Sequence, residues 1–61
     1  MERIDVSRWI AAMERELRGG DELRCGEVLA VLERWQWDEM LDEPSRAAAR
    51  RLVREFGRMS G

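Results

Sequence analysis

Residues 5–20 read DVSRWIAAMERELRGG, and both ends of a helix and its buried face are written into them. Val6, Trp9, Ile10, Met13 and Leu17 recur at i, i+3, i+4, i+7 and i+11, which gathers them on one face at the helical period. Asp5 is placed as an N-cap, since its carboxylate can accept from the free amides of the first turn. Ile4 and Trp9 then occupy the two positions of a hydrophobic staple. Arg15 and Arg18 lie toward the negative pole, and Gly19-Gly20 offers an easy left-handed stop. This spacing predicts a helix from Val6 to Arg18.

The same grammar repeats downstream. Asp21 is a second N-cap candidate, with Glu22 at the positive pole of the helix that follows. Cys25, Val28, Leu29, Leu32 and Trp35 form the apolar stripe of a helix over 22–35. Gly26 lies within it, either to let the first helix approach closely or because regular helix begins later. The stripe slips phase at Trp37, so the chain either continues with its apolar face rotated or breaks near Gln36. Pro44 suits the first turn of a third helix, from Pro44 to Phe56 or Gly57, with Asp42 and Glu43 as capping and dipole partners. Ala48, Ala49, Leu52, Val53 and Phe56 supply its apolar side, with Met59 as a candidate extension.

No strand-like alternation, internal repeat or low-complexity linker is present. The expected fold is therefore all-α: one domain over residues 1–61, a small antiparallel three-helix bundle. A fourth short helix at 37–41 is the main variant.

The size makes such a bundle marginal. For 7.2 kDa, surface scaling buries roughly 6,300 Å² on folding. At about 25 cal/mol per Å² for an apolar share of about 60%, that stabilises by on the order of 95 kcal/mol. Ordering the 61 residues at about 1.5 kcal/mol each opposes it by nearly the same amount. A chain so balanced either packs its Trp, Leu and Val well or is steadied by a partner or a second copy of itself.

Composition narrows the chemistry. The chain has no Lys, His, Asn, Thr or Tyr, and all 11 cations are Arg. A GC-rich coding sequence, as in a high-GC bacterium or its phages, accounts for that bias more simply than selection for guanidinium chemistry. Without His, the usual base for a Ser or Cys nucleophile and the commonest metal ligand are missing. Ser7, Ser45 and Ser60 are placed like helix-end or tail residues. Cys25, on an apolar stripe with no Lys or His near it, reads as a small core residue. No enzyme, no cofactor and no metal site is expected. The acids from Asp38 to Glu43 lack the central glycine of a calcium loop and read as caps and a solvated turn. A single cysteine and no long apolar run point to a reducing cytoplasm and no membrane association.

What remains is recognition. The net charge of −2 conceals a sorting by sign: residues 33–43 hold five acids and one Arg, and residues 46–58 hold five Arg and one Glu. Trp35 and Trp37 sit inside the acidic stretch. Residues two apart on a helix point about 200° apart, so both indoles cannot face one small core. If Trp35 packs inward, Trp37 is either closed over by Met40, Leu41 and Phe56 or left outside, rimmed by acids.

Trp and Arg are the side chains most enriched as interface anchors. The first expectation is thus a non-enzymatic protein-binding module, an inhibitor or regulator, using Trp37, Asp38, Glu39, Asp42 and Glu43. Its partner would be apolar at Trp37 and basic at the acids, as a nucleic-acid-handling complex is. The row Arg46, Arg50, Arg51, Arg54 and Arg58 reads first as a solvated face neutralised by the chain's own acids; the second functional expectation is a nucleic-acid-binding regulator that lays it along phosphates. The third is a homo-oligomeric assembly module, a homodimer in its simplest form, pairing the two charged segments. At class level, the length, single helical domain and coding bias resemble those of small phage or mobile-element proteins that inhibit a host complex, anti-CRISPR proteins among them.

Overall fold

The computed structural model describes residues 2–57, and shows three helices: α1 (Ser7–Gly19), α2 (Glu22–Trp35) and α3 (Glu43–Gly57). Arg58, Met59 and Ser60 lie outside the described residues. Two residues join α1 to α2, which forces the two helices to run antiparallel. Seven join α2 to α3. Val6 meets Ser45 at one end of the α1–α3 pair, and Arg18 lies over Phe56 at the other, so α1 and α3 point the same way. The result is an up-down-up bundle in which each helix packs on both others.

Val6, Ile10, Leu17, Leu32, Leu41, Ala49 and Leu52 make the core, with Met13, Cys25, Val28, Leu29, Trp35, Ala48, Val53 and Phe56 packed around them. Trp9 is not among them. At about 100° per residue, the arc through Val6, Ile10, Met13 and Leu17 is centred roughly 70° from Trp9, so the indole falls over the edge of the stripe. It is 66% exposed, and Ile4, its expected staple partner, is also exposed.

Two of the three expected caps form, but Val6 and not Asp5 stands at the N-cap of α1, where no side chain caps the helix. Asp21 accepts from the Arg24 amide at 2.8 Å and Asp42 from the Ser45 amide at 2.9 Å, each satisfying a free donor of a first turn. Asp5 accepts from the Ser7 amide at 2.9 Å, and Val6, which stands next to the helix, offers its carbonyl to Ile10. Its carboxyl is held below the usual aspartate value chiefly by the Ser7 amide.

The stop of α1 is not left-handed. No described glycine has a positive φ; Gly20 is extended, its amide donating to the Glu16 carbonyl at 2.6 Å. Glycine is needed there for a different reason: a Cβ would lie 2.6 Å from that carbonyl oxygen. Gly26 is the opposite case. A Cβ there would meet nothing within 4 Å, so it does not serve the approach of α1.

The fourth helix at 37–41 does not form. After Trp35 the amides of Trp37 and Asp38 reach back three residues, to Arg34 and Trp35, which tightens the chain and ends α2. The Asp38 carboxylate then accepts from the Met40 amide, and its carbonyl accepts from Leu41. Leu41 drops into the core, and an isolated parallel bridge pairs it with Ile4. In that bridge the Ile4 amide donates to the Met40 carbonyl and the Ile4 carbonyl accepts from the Asp42 amide.

Candidate functional site

The break after Trp35 decides where the second indole goes. Gln36 turns inward and is buried, Trp35 packs half-buried against the core, and Trp37 leaves the helical register and stands 70% exposed. Met40 and Leu41 do not close over it: Met40 is itself half-exposed and Leu41 lies in the core. What covers one side of Trp37 is a cation. The guanidinium carbon of Arg50, on α3, sits 5.5 Å from the ring centroid, and the same group donates to the Gln36 carbonyl at 3.5 Å. An arginine over an indole face is attracted by the ring quadrupole, so Arg50 favours this placement of the ring while most of it stays open to solvent.

The acids around Trp37 are not equivalent. Asp38 and Asp42 are half-buried and accept from backbone amides, and Glu43 pairs with Arg46 at 2.7 Å. Glu39 is exposed and makes no hydrogen bond or ion pair within the described residues. It borders an open groove of about 340 Å³ lined by Glu2, Arg3, Glu39 and Met40. The turn therefore presents one indole, one unengaged carboxylate and the half-exposed side chains of Met40 and Ile4.

The arginine helix divides likewise. Arg46 is largely buried, paired with Glu43, and its Nε is buried without an acceptor among the described residues. Arg51 bridges to Glu14 on α1 and to Glu55, each at 3.3 Å. Glu14 also takes a 2.9 Å hydrogen bond from Arg18, and chiefly that bond holds its carboxyl below the usual glutamate value against the opposing effect of burial. Arg50 is committed to Trp37 and Gln36, and Arg54 is exposed without an ion pair among the described residues.

Two features escaped the sequence. The placement of Arg50 over Trp37 depends on α3 crossing the end of α2, which no local spacing encodes. Ser45, read as a helix-end residue, is fully buried: its Oγ accepts from the Val6 amide at 3.0 Å and donates to the Asp5 carboxylate at 3.5 Å. A serine directly after Pro44, three residues past an aspartate cap, carried a signal for the first turn of α3 but none for the contact with the N-terminal segment.

The Cys25 sulfur is half-buried over the end of α1, 3.6–3.8 Å from the carbonyl oxygens of Glu16, Leu17 and Gly20. Among the described residues no group of three His, Cys, Asp or Glu side chains comes together to hold a metal ion. No described helix is long and apolar enough to cross a membrane. No protein-family model matches the chain, and comparison with curated proteins and with solved structures finds no match.

Proposed function

We propose that this chain is a non-enzymatic protein-binding module that acts by occupying a partner's surface with the Trp37 turn. The observation that carries the reading is an indole 70% exposed, steadied by Arg50, on a turn tied down by hydrogen bonds at both ends. A large aromatic held in solvent in one attitude loses little conformational freedom on docking, which is the property of an interface anchor. The partner it fits offers an apolar slot for the indole and a basic group for Glu39. Asp38, Asp42 and Glu43 add a negative field there, although their carboxylates also serve the fold. Inhibition or regulation by occlusion of a basic surface, one that otherwise holds nucleic acid, is the mode this chemistry suits.

Direct nucleic-acid binding by α3 has less in its favour, because Arg46 and Arg51 already have carboxylate partners and Arg50 is engaged with Trp37. The test is affinity capture from extract of the source cell, with and without nuclease, using the parent chain and Trp37→Ala. Capture that survives nuclease, and that weakens by about 2 kcal/mol or more in the variant, is expected of a hot-spot residue. The fold should be unchanged, since the ring is exposed. Equal capture by both proteins would remove Trp37 from the mechanism. Capture abolished by nuclease would return the function to the arginine helix.

A further inference from the structure

α2 carries apolar side chains directly opposite its buried side. Cys25, Val28, Leu29 and Leu32 pack inward, yet Leu23, Ala30 and Val31 face solvent, Leu23 at 78% exposure. A helix with apolar residues on both sides belongs between two layers, and the described chain covers only one. Gly26 lies on the same outer face. Glycine weakens a helix, and the open space around its missing Cβ means that nothing within the described molecule requires it. Another helix laid closely against this face would.

The charges on the face say which helix. Glu27 and Arg34 are exposed, and neither makes an ion pair within the described residues. At about 100° per residue Leu23, Glu27, Ala30 and Arg34 fall within roughly 60° of one another, with Gly26 alongside. Glu22 and Glu33 lie on the flank, about a quarter-turn away. Positions 27 and 34 stand symmetrically about the midpoint between Ala30 and Val31. Two copies of α2 packed antiparallel about that point set Glu27 of each against the partner subunit's Arg34. Parallel packing sets like charges together. A patch that complements itself under a two-fold rotation is what an isologous interface needs.

We propose that α2 pairs with α2 of a second copy, antiparallel, through Leu23, Gly26, Glu27, Ala30, Val31 and Arg34. One four-turn helix face buries less than the roughly 1,200 Å² of a stable complex, so the dimer is weak and forms as concentration rises. Sedimentation equilibrium of the full chain between about 10 μM and 1 mM, at low salt, reads it directly. Gly26→Gln fills the space where the helices meet and suits a helix better than glycine. It should weaken association at least tenfold while raising the melting temperature, which separates loss of pairing from loss of fold. Arg34→Glu should weaken association, and Glu27→Arg in the same chain should restore it. The association is read on the chain alone, with no captured partner present, so this proposal and the Trp37 reading stand or fall separately. A parent chain that stays monomeric at about 1 mM overturns the proposal and leaves the face to a helix of another protein. So does a Gly26→Gln chain that associates as well as the parent, or a charge reversal without rescue.

Discussion

Ser45→Ala removes one oxygen atom from a fully buried side chain in the first turn of α3, and the structure allows its cost to be worked out. The Oγ accepts from the Val6 amide at 3.0 Å, in a buried setting, across 39 residues of sequence. Alanine leaves that amide without an acceptor and no room for water beyond the volume of the hydroxyl. A buried donor stranded in this way costs about 1–3 kcal/mol, more than the net value of a hydrogen bond whose two partners are removed together. The bond to Asp5 at 3.5 Å is long and adds little. An expectation of about 2 kcal/mol follows, and at about 2.1 cal/mol/K per residue the chain's unfolding entropy converts it to a fall in melting temperature of roughly 15 °C. Thermal unfolding followed by far-ultraviolet circular dichroism measures the shift. Amide exchange locates it, because the amides of Ile4, Val6 and Asp42 should lose protection before those of α2. A variant melting within about 3 °C of the parent would mean the Val6 amide finds another acceptor, and the reasoning would fail.

The two glycines should respond to alanine with opposite sign. Gly26→Ala, tested at micromolar concentration, should stabilise by about 0.5–1 kcal/mol, because nothing lies within 4 Å of the new Cβ. Gly20→Ala should destabilise by about 1–3 kcal/mol, since its Cβ meets a backbone carbonyl that cannot swing aside. Denaturant titration of both variants checks the pair, and equal signs would refute the stated geometry. Acid should weaken the fold through Asp5 and Glu14, whose folded values lie below their ordinary 3.8 and 4.5. A depressed carboxyl contributes its stability above the unfolded value and loses it as pH falls through the folded one. Melting temperature should therefore decline from about pH 5 downward, and Glu14→Gln should flatten that decline. An unaltered pH profile in the variant would show that the contacts from Arg18 and Arg51 add no net stability.

The helices were legible because their signals are local. Asp21 and Asp42 cap as their positions imply, and the apolar periods give α2 its bounds. Trp9 misled because a large aromatic one step off the stripe satisfies an i+3 pattern without lying on the arc that the core selects. Gly20 misled because glycine serves close approach as readily as positive φ, and sequence does not separate the two uses. The break after Trp35 was foreseen as one of two outcomes. Two i−3 hydrogen bonds, from Trp37 to Arg34 and from Asp38 to Trp35, separate the outcomes. Contacts spanning the chain, such as Val6 to Ser45 and Arg50 to Trp37, had no local signature at all.

The sorted charges take on a different meaning once the fold is known. An acidic run before a basic run would suggest two opposed surfaces, but much of the acid is consumed in building one turn. Asp38 closes it, Asp42 starts α3, and Glu43 neutralises Arg46. The Ile4 bridge ties the far end of the same turn, and Arg50 ties the near end through the Gln36 carbonyl. A connection of seven residues fixed at so many points pays its ordering entropy during folding rather than on binding. Loosening it at a distance should then weaken docking even where the docking atoms are untouched. Ser45→Ala offers that comparison at a temperature where the variant remains folded. If Trp37 works as a pre-set anchor, the variant binds the captured partner more weakly than the parent with the Trp37 side chain intact. If the two bind equally, the indole is ordered by the partner and the rigidity of the turn has no part in recognition.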